Sequence, residues 1–300
     1  HRLGKAMGTI SANGIDLYHE IHGQGPRLLF ISGTGGDLRV RPNVFDGPLP
    51  AAFEVLAYDQ RGLGQSVDPA LYQRIESDKE VNADRRDGDG WDEGAAGDYG
   101  MGDYADDAAG LLDALGWDGP VLVMGVSFGG MVAQEFALKH PERVRALVLA
   151  CTSAGGAGGA SYPLHELEAL ADEERAARHL ELADTRRDAA WRAANPDKWQ
   201  TYLTMAQNAR RVDRDEDGAR RQLQARAGHD TFERLAAVQC PVLLAGGRYD
   251  GIAPMANMEA LASRLPEAEL EFFDGGHLFF VQDKKAYPRI VEWLSAQAAG

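Results

Sequence analysis

The run Val121-Leu122-Val123-Met124-Gly125-Val126-Ser127-Phe128-Gly129-Gly130 decides how this chain folds. Val121 to Met124 is a short apolar run of the kind that forms a strand buried on both faces, and Phe128 to Lys139 has the pattern of an apolar helix. Between them, Gly125-Val126-Ser127-Phe128-Gly129 has the spacing G-x-S-x-G. A serine at so sharp a strand-to-helix turn strains its backbone and needs small residues on either side, which the two glycines supply. Its hydroxyl then stands above the sheet, and the helix N-terminus behind it favours developing negative charge. Ser127 is therefore the candidate nucleophile.

A serine hydroxyl is a weak nucleophile at neutral pH and needs a base. Where serine occupies such a turn, the acid and then the histidine follow in chain order. Downstream, Gly246-Gly247-Arg248-Tyr249-Asp250 follows one apolar run, and Phe272-Phe273-Asp274-Gly275-Gly276-His277 follows the last. Both loops open at the sheet edge where Ser127 lies, so Asp250 is expected as the orienting acid and His277 as the base. Asp274 is the rival acid, but it sits on its own strand-end turn. His140 precedes Pro141 at a helix end, and His165, His179 and His229 are expected on a solvated face. Two backbone donors must meet the substrate oxygen. One is expected from Phe128 and the other from Ser32-Gly33-Thr34-Gly35-Gly36, with Thr34 as the donor and Gly33 against the substrate.

The rest of the chain supplies the scaffold. Thr9 to Ala12 and Ile15 to Ile21 flank Asn13-Gly14, a type I′ hairpin signal. Short apolar runs follow at Leu28 to Ile31, Phe53 to Ala57, Ala146 to Ala150, Val242 to Ala245 and Leu270 to Phe273. Helical patterns lie between them at Tyr104 to Leu115, Met255 to Leu265 and Asp283 to Leu294. Such alternation predicts an α/β fold with a mostly parallel, doubly wound sheet. Two stretches interrupt it. Asp68 to Gly100, poor in aliphatic residues, is expected as a surface excursion. The stretch 155–230, rich in Ala, Glu and Arg, is expected as an inserted helical cap on a body of 8–154 and 231–297. Within the cap, Trp191, Trp199 and Tyr202 are candidate substrate-wall residues, with Leu203 and Met205 beside them, although such a stripe also suits packing. Arg186, Arg187 and Arg192 could meet a substrate carboxylate.

Tyr58-Asp59-Gln60-Arg61-Gly62-Leu63-Gly64-Gln65-Ser66 resembles the D-x-R-G-x-G-x-S turn of α/β-hydrolases. Together with the serine turn, Asp250 and His277, the resemblance runs from about Thr9 to Leu294, cap excepted. It is nearest to cap-bearing esterases and 3-oxoadipate enol-lactonases. It implies an α/β-hydrolase fold and a serine hydrolase that cleaves a small carboxylic ester or lactone by acyl transfer. The alternatives are a C–C bond or peptide hydrolase with the same three residues, or a non-catalytic ligand-binding member. Serine at the turn separates the chain from haloalkane dehalogenases and epoxide hydrolases, which use aspartate there. The chain departs from many relatives in having Ser32-Gly33 where they have His-Gly, and in the length of its 68–100 stretch.

The 300 residues carry a net charge of −15, with 44% hydrophobic and 26% charged residues. That balance fits a globular chain and argues against nucleic acid or an anionic membrane surface as partner. The expected partner is a small-molecule ester or lactone. The two cysteines, Cys151 and Cys240, fall at opposite ends of neighbouring strands, roughly 15–20 Å apart, too far for a disulfide. Free thiols suit a reducing, cytoplasmic setting. No apolar stretch reaches the ~20 residues of a membrane helix, and the polar start, His1 to Met7, reads as a remnant rather than a signal peptide. Acyl transfer needs no cofactor. Asp213-Arg214-Asp215-Glu216-Asp217-Gly218 matches half an EF-hand loop, but Gln224 stands where a bidentate Glu is needed, so no metal is expected there or at Asp84, Asp87, Asp89, Asp92 and Glu93.

Overall fold

The computed structural model describes residues 6–69, 99–209 and 214–299. Eight strands form one sheet: β1 (Ala6–Ala12), β2 (Ile15–His22), β3 (Arg27–Ile31), β4 (Glu54–Tyr58), β5 (Val121–Val126), β6 (Val144–Ala150), β7 (Val242–Gly247) and β8 (Ala268–Phe273). Their order is β1-β2-β4-β3-β5-β6-β7-β8. The two pairings made by β2 are antiparallel and the other five parallel. Asn13 and Gly14 have φ of 52° and 75°. Left-handed backbone at both central residues is the type I′ turn, whose twist matches that of the strands it joins.

Helices α1 (Met101–Ala114) and α2 (Phe128–Lys139) flank β5. Between β6 and β7 come α3 (Asp172–Ala183), α4 (Ala189–Ala194), α5 (Pro196–Ala209) and α6 (Glu216–Ala227). The chain ends with α7 (Met255–Arg264), α8 (Phe279–Gln282) and α9 (Ala286–Ala299). Successive residues of the parallel strands feed opposite faces. Leu29, Val123, Leu147 and Leu244 pack with α1, α2 and α7, while Leu28, Leu122, Val148 and Leu243 pack with Ile290, Trp293 and Leu294 of α9. Each such burial is worth roughly 1.5–3 kcal/mol, which explains why these strands read as unbroken apolar runs.

The strand order reverses at β3. The chain leaves it toward β4 on one side, and β5 lies on the other, with Ile31 opposite Gly125. The loops after β3 and β5 therefore open next to each other, at the kind of switch point where open α/β sheets bind ligands.

The helical insertion is closed at its base by a bridge between Gly155 and Asp230, and by the Thr231 N–H, which donates to Ala154 O at 2.8 Å. Leu164, Leu167, Leu182 and Leu223 from the insertion pack on Ile252 of the body. Cys151 and Cys240 are both free.

Two expectations need correction. The 68–100 stretch is not superficial at its ends. Tyr99 lies in the core, and its hydroxyl donates to the buried Asp68 carboxylate at 2.9 Å. A phenol can fill apolar space while satisfying a buried acid, so the two ends anchor each other. Residues 70–98, including Leu71, Ile75, Val81, Trp91 and the acidic set from Asp84 to Glu93, lie outside the described residues. His229 is not on a solvated face. It is buried beyond the end of α6, and its Nε2 donates to Ser153 O at 3.1 Å. His165 is half-buried, and only His179 is exposed.

Candidate active site

Ser127 has φ 56° and ψ −117°, a strained conformation for a residue with a side chain. The strain is held by its surroundings. The Ser127 N–H donates to Ala150 O at 2.8 Å, and its carbonyl accepts from Thr152 Oγ1 at 2.7 Å. A Cβ on Gly125 would lie 2.2 Å from Gly129 O, and one on Gly129 would lie 2.0 Å from Ile31 O. Neither position can carry a side chain, which is the structural content of the motif's two glycines.

The structure brings Ser127, Asp250 and His277 together, all three buried. His277 Nδ1 lies 2.7 Å from Asp250 Oδ2, and Nε2 lies 2.9 Å from Ser127 Oγ. An ionised carboxylate only accepts, so Nδ1 carries the ring proton and Nε2 presents its lone pair to the serine hydroxyl. The other carboxylate oxygen of Asp250 accepts from the N–H groups of Ile252 and Ala253 at 2.8 and 2.9 Å. Asp274 makes neither contact. It is exposed and faces Arg186.

Gly33 stands directly against Ser127, where a Cβ would meet the serine Cβ at 3.4 Å. Phe128 opens α2, so its N–H has no partner within the helix. Thr34 lies beside this space, and its Oγ1 is buried with no hydrogen-bond partner among the described residues. The loop is held from below by Gln60, whose Nε2 donates to Ser32 O at 2.8 Å. It is held from above by Gln222 of α6. Gln222 Oε1 accepts from the Gly35 N–H at 2.7 Å, and Nε2 donates to Gln60 Oε1 at 3.1 Å. No motif marks Gln222, and nothing short of the packed insertion could have found it. The insertion also steadies the histidine loop. The His277 N–H donates to Ala183 O at 2.6 Å, the Gly251 N–H to Leu182 O at 2.8 Å, and Gln282 Nε2 to Asp184 Oδ2 at 3.0 Å.

The residues expected as a substrate wall meet one another. Trp191 stacks on Tyr202 with centroids 6.3 Å apart, Arg192 lies over Trp199 and Arg187 over Tyr202, while Leu203 is buried and Met205 exposed. None of these contacts includes Ser127, Asp250 or His277. Arg192 pairs with Glu181, and Arg186 with Asp184. The EF-hand-like acids have structural roles: Asp215 caps α6 by accepting from the Gly218 N–H at 3.0 Å, and Asp217 faces Arg220. Asp213 lies outside the described residues. Among the described residues, the cluster that could ligate a metal is Cys151, Asp250 and His277, and the last two already bond each other.

The alpha/beta hydrolase fold profile matches residues 26–284. The chain belongs to this family. Its relatives include a poly(3-hydroxyalkanoate) depolymerase of Ectopseudomonas oleovorans, 31% identical over 275 residues, covering 90% of this chain and 84% of the other. A 2-hydroxymuconate semialdehyde hydrolase of Pseudomonas putida is 31% identical over 222 residues, covering 68% of this chain and 72% of the other. Among solved structures, the enol-lactonase of Burkholderia xenovorans LB400 superposes with a TM-score of 0.70 at 20% identity, over 98% of this chain and all of that one. That likeness speaks for the fold. Family members thus share this architecture, and hydrolysis is the activity common to these names.

Proposed function

We propose that the protein hydrolyses a small carboxylic ester or lactone through an acyl-enzyme on Ser127. The observation that carries this reading is the continuous chain from Asp250 through His277 to Ser127, with spacings of 2.7 and 2.9 Å. His277 Nε2 takes the hydroxyl proton as Ser127 Oγ attacks the carbonyl carbon, and Asp250 stabilises the imidazolium that results. The N–H groups of Phe128 and Thr34 meet the oxyanion. His277 then protonates the leaving oxygen; afterwards it takes a proton from water, which attacks the acyl carbon, and returns that proton to Ser127 Oγ as the acid leaves. No step calls for a metal or cofactor.

The name of one relative, a depolymerase of a poly(3-hydroxyalkanoate), supports an ester. A neutral or weakly polar substrate is favoured, because Arg186 and Arg192 are engaged by carboxylates of the chain itself. The insertion, which packs over the histidine and Gly35 loops, is assigned the choice of substrate, with Trp191, Trp199 and Tyr202 as its aromatic part. A second reading, C–C bond hydrolysis by the same three residues, is favoured by the relative named for a semialdehyde. Two free thiols support a cytoplasmic setting, and among the described residues no helix is long and apolar enough to cross a membrane.

A panel of esters, lactones, amides and vinylogous ketoacids, assayed with wild type and variants, tests both readings. Ser127→Ala and His277→Ala are each expected to lower kcat by at least ~10³-fold on the ester, and the double variant by little more, since the groups act as a unit. Near-wild-type turnover in a folded Ser127→Ala protein would sink the acyl-enzyme.

A further inference from the structure

A cavity of about 80 Å³ lies where the insertion joins the body, lined by Arg226, Ser153, Ser161, His229 and Met131 among others. None of Ser127, Asp250, His277, Gly33, Thr34 and Phe128 lines it. Arg226, in the last turn of α6, is only 5% exposed. Its Nη1 donates to Tyr162 O at 2.7 Å, but Nε and Nη2 have no partner among the described residues. Burial lowers this guanidinium to about 10, so it remains charged at neutral pH.

A buried cation without a counter-charge is costly, because desolvation is not returned by a partner. The helix C-terminus and Tyr162 O offset part of that cost. Elsewhere this chain pairs its less exposed arginines with acids: Arg61 with Asp107, Arg143 with Asp113 and Arg175 with Asp172. With 46 acidic residues against 31 Lys and Arg, carboxylates are plentiful, yet none lines this cavity. What does line it can donate. Ser153 Oγ and Ser161 Oγ lie 2.9 Å apart, so one hydroxyl proton is shared between them and the other is left over. The volume equals roughly two to three waters, the size of a formate or an acetate.

We propose that the cavity at Arg226 binds a small carboxylate anion, at a site separate from the Ser127 crevice. The carboxylate takes the Nε and Nη2 donors of Arg226 in the side-by-side manner that a guanidinium offers, with a serine hydroxyl as third donor. Because the site ties α6 to the loop after β6, occupancy fastens the insertion to the body.

The test uses the whole protein and sodium acetate as probe, with sodium chloride at matched ionic strength as control. Acetate is expected to raise Tm saturably, by about 3 °C at ten times its Kd, and to give a one-site calorimetric isotherm. Arg226→Gln should abolish both effects. Ser161→Val narrows the cavity while keeping the arginine, and should weaken acetate at least tenfold; it decides the matter if Arg226→Gln does not fold. Acetate should still bind after Ser127 has been blocked with a serine-reactive phosphonate. Equal stabilisation by chloride, no binding of acetate, undiminished binding in Arg226→Gln, or loss of binding once Ser127 is blocked would each overturn the proposal. None of these readouts depends on turnover, so they stand apart from the test of the acyl-enzyme.

Discussion

Replacing Gln222 with leucine isolates what the insertion does for catalysis. Gln222 is fully buried and bonds Gly35 N–H and Gln60 Oε1 at 2.7 and 3.1 Å. Leucine has nearly the same volume, so little cavity forms. Gly35 is exposed, and its freed N–H can turn to water. Gln60 is buried, and its Oε1 loses a donor that water cannot replace. One orphaned buried acceptor costs about 1–3 kcal/mol, which for a chain of this size lowers Tm by roughly 2–5 °C. The larger expected effect is on rate. Removing an oxyanion donor outright costs ~10²–10³ in kcat. Gln222 holds the neighbour of Thr34 rather than the oxyanion, so a smaller loss, roughly tenfold in kcat with KM nearly unchanged, is expected. Steady-state kinetics on the best ester of the panel, with thermal melts alongside, measure both. A kcat within twofold of wild type alongside the lower Tm would show that Gln222 only stabilises, and would refute its role in positioning the loop.

Three further outcomes follow from the same structure. Asp107→Ala should destabilise by about 3–5 kcal/mol in urea titrations, because it strands the buried Arg61 guanidinium that it holds at 2.6 and 2.7 Å; Arg61→Met with Asp107→Leu should recover most of that loss. Burial lowers His229 from 6.5 to about 4, against smaller upward pulls from the Ser153 carbonyl, Glu135 and Asp230. Between those values the unfolded chain binds a proton that the folded one does not. The stability this contributes is therefore present above 6.5 and lost as pH falls toward 4. His229→Gln should flatten that acid limb by roughly 2–3 kcal/mol between pH 7 and 4.5, and an unchanged limb would show that another group governs it. EDTA should leave kcat unchanged, since the steps proposed from Ser127 to free acid use no cation; a loss restored by a divalent metal would break that proposal.

Much of the body was legible because its signals are local. Asn13-Gly14 forces its own turn, Gly125 and Gly129 mark a turn that admits no side chain, and the strands announce themselves by apolar runs. Helix α2 begins at Phe128 and ends at Lys139, as its pattern predicts. The order Ser127, Asp250, His277 was readable because each residue closes its own strand. The rest depended on contacts between segments far apart in sequence. Tyr99 reaches Asp68 across 31 positions, Gln222 reaches Gly35 across 187, and His229 reaches Ser153 across 76. Periodicity reports which face of an element is apolar, and a place in or beside a polar insertion suggested a solvated face for His229. It carries no information on what is laid over that face. A lone Gln or Arg in a helix of mixed polarity has no pattern of its own. Whether Arg226 faces water or the cavity between insertion and body, and whether Gln222 faces water or the loop beside Ser127, is settled only when the insertion closes over the sheet, because burial belongs to the packing of two surfaces and is not written in either one.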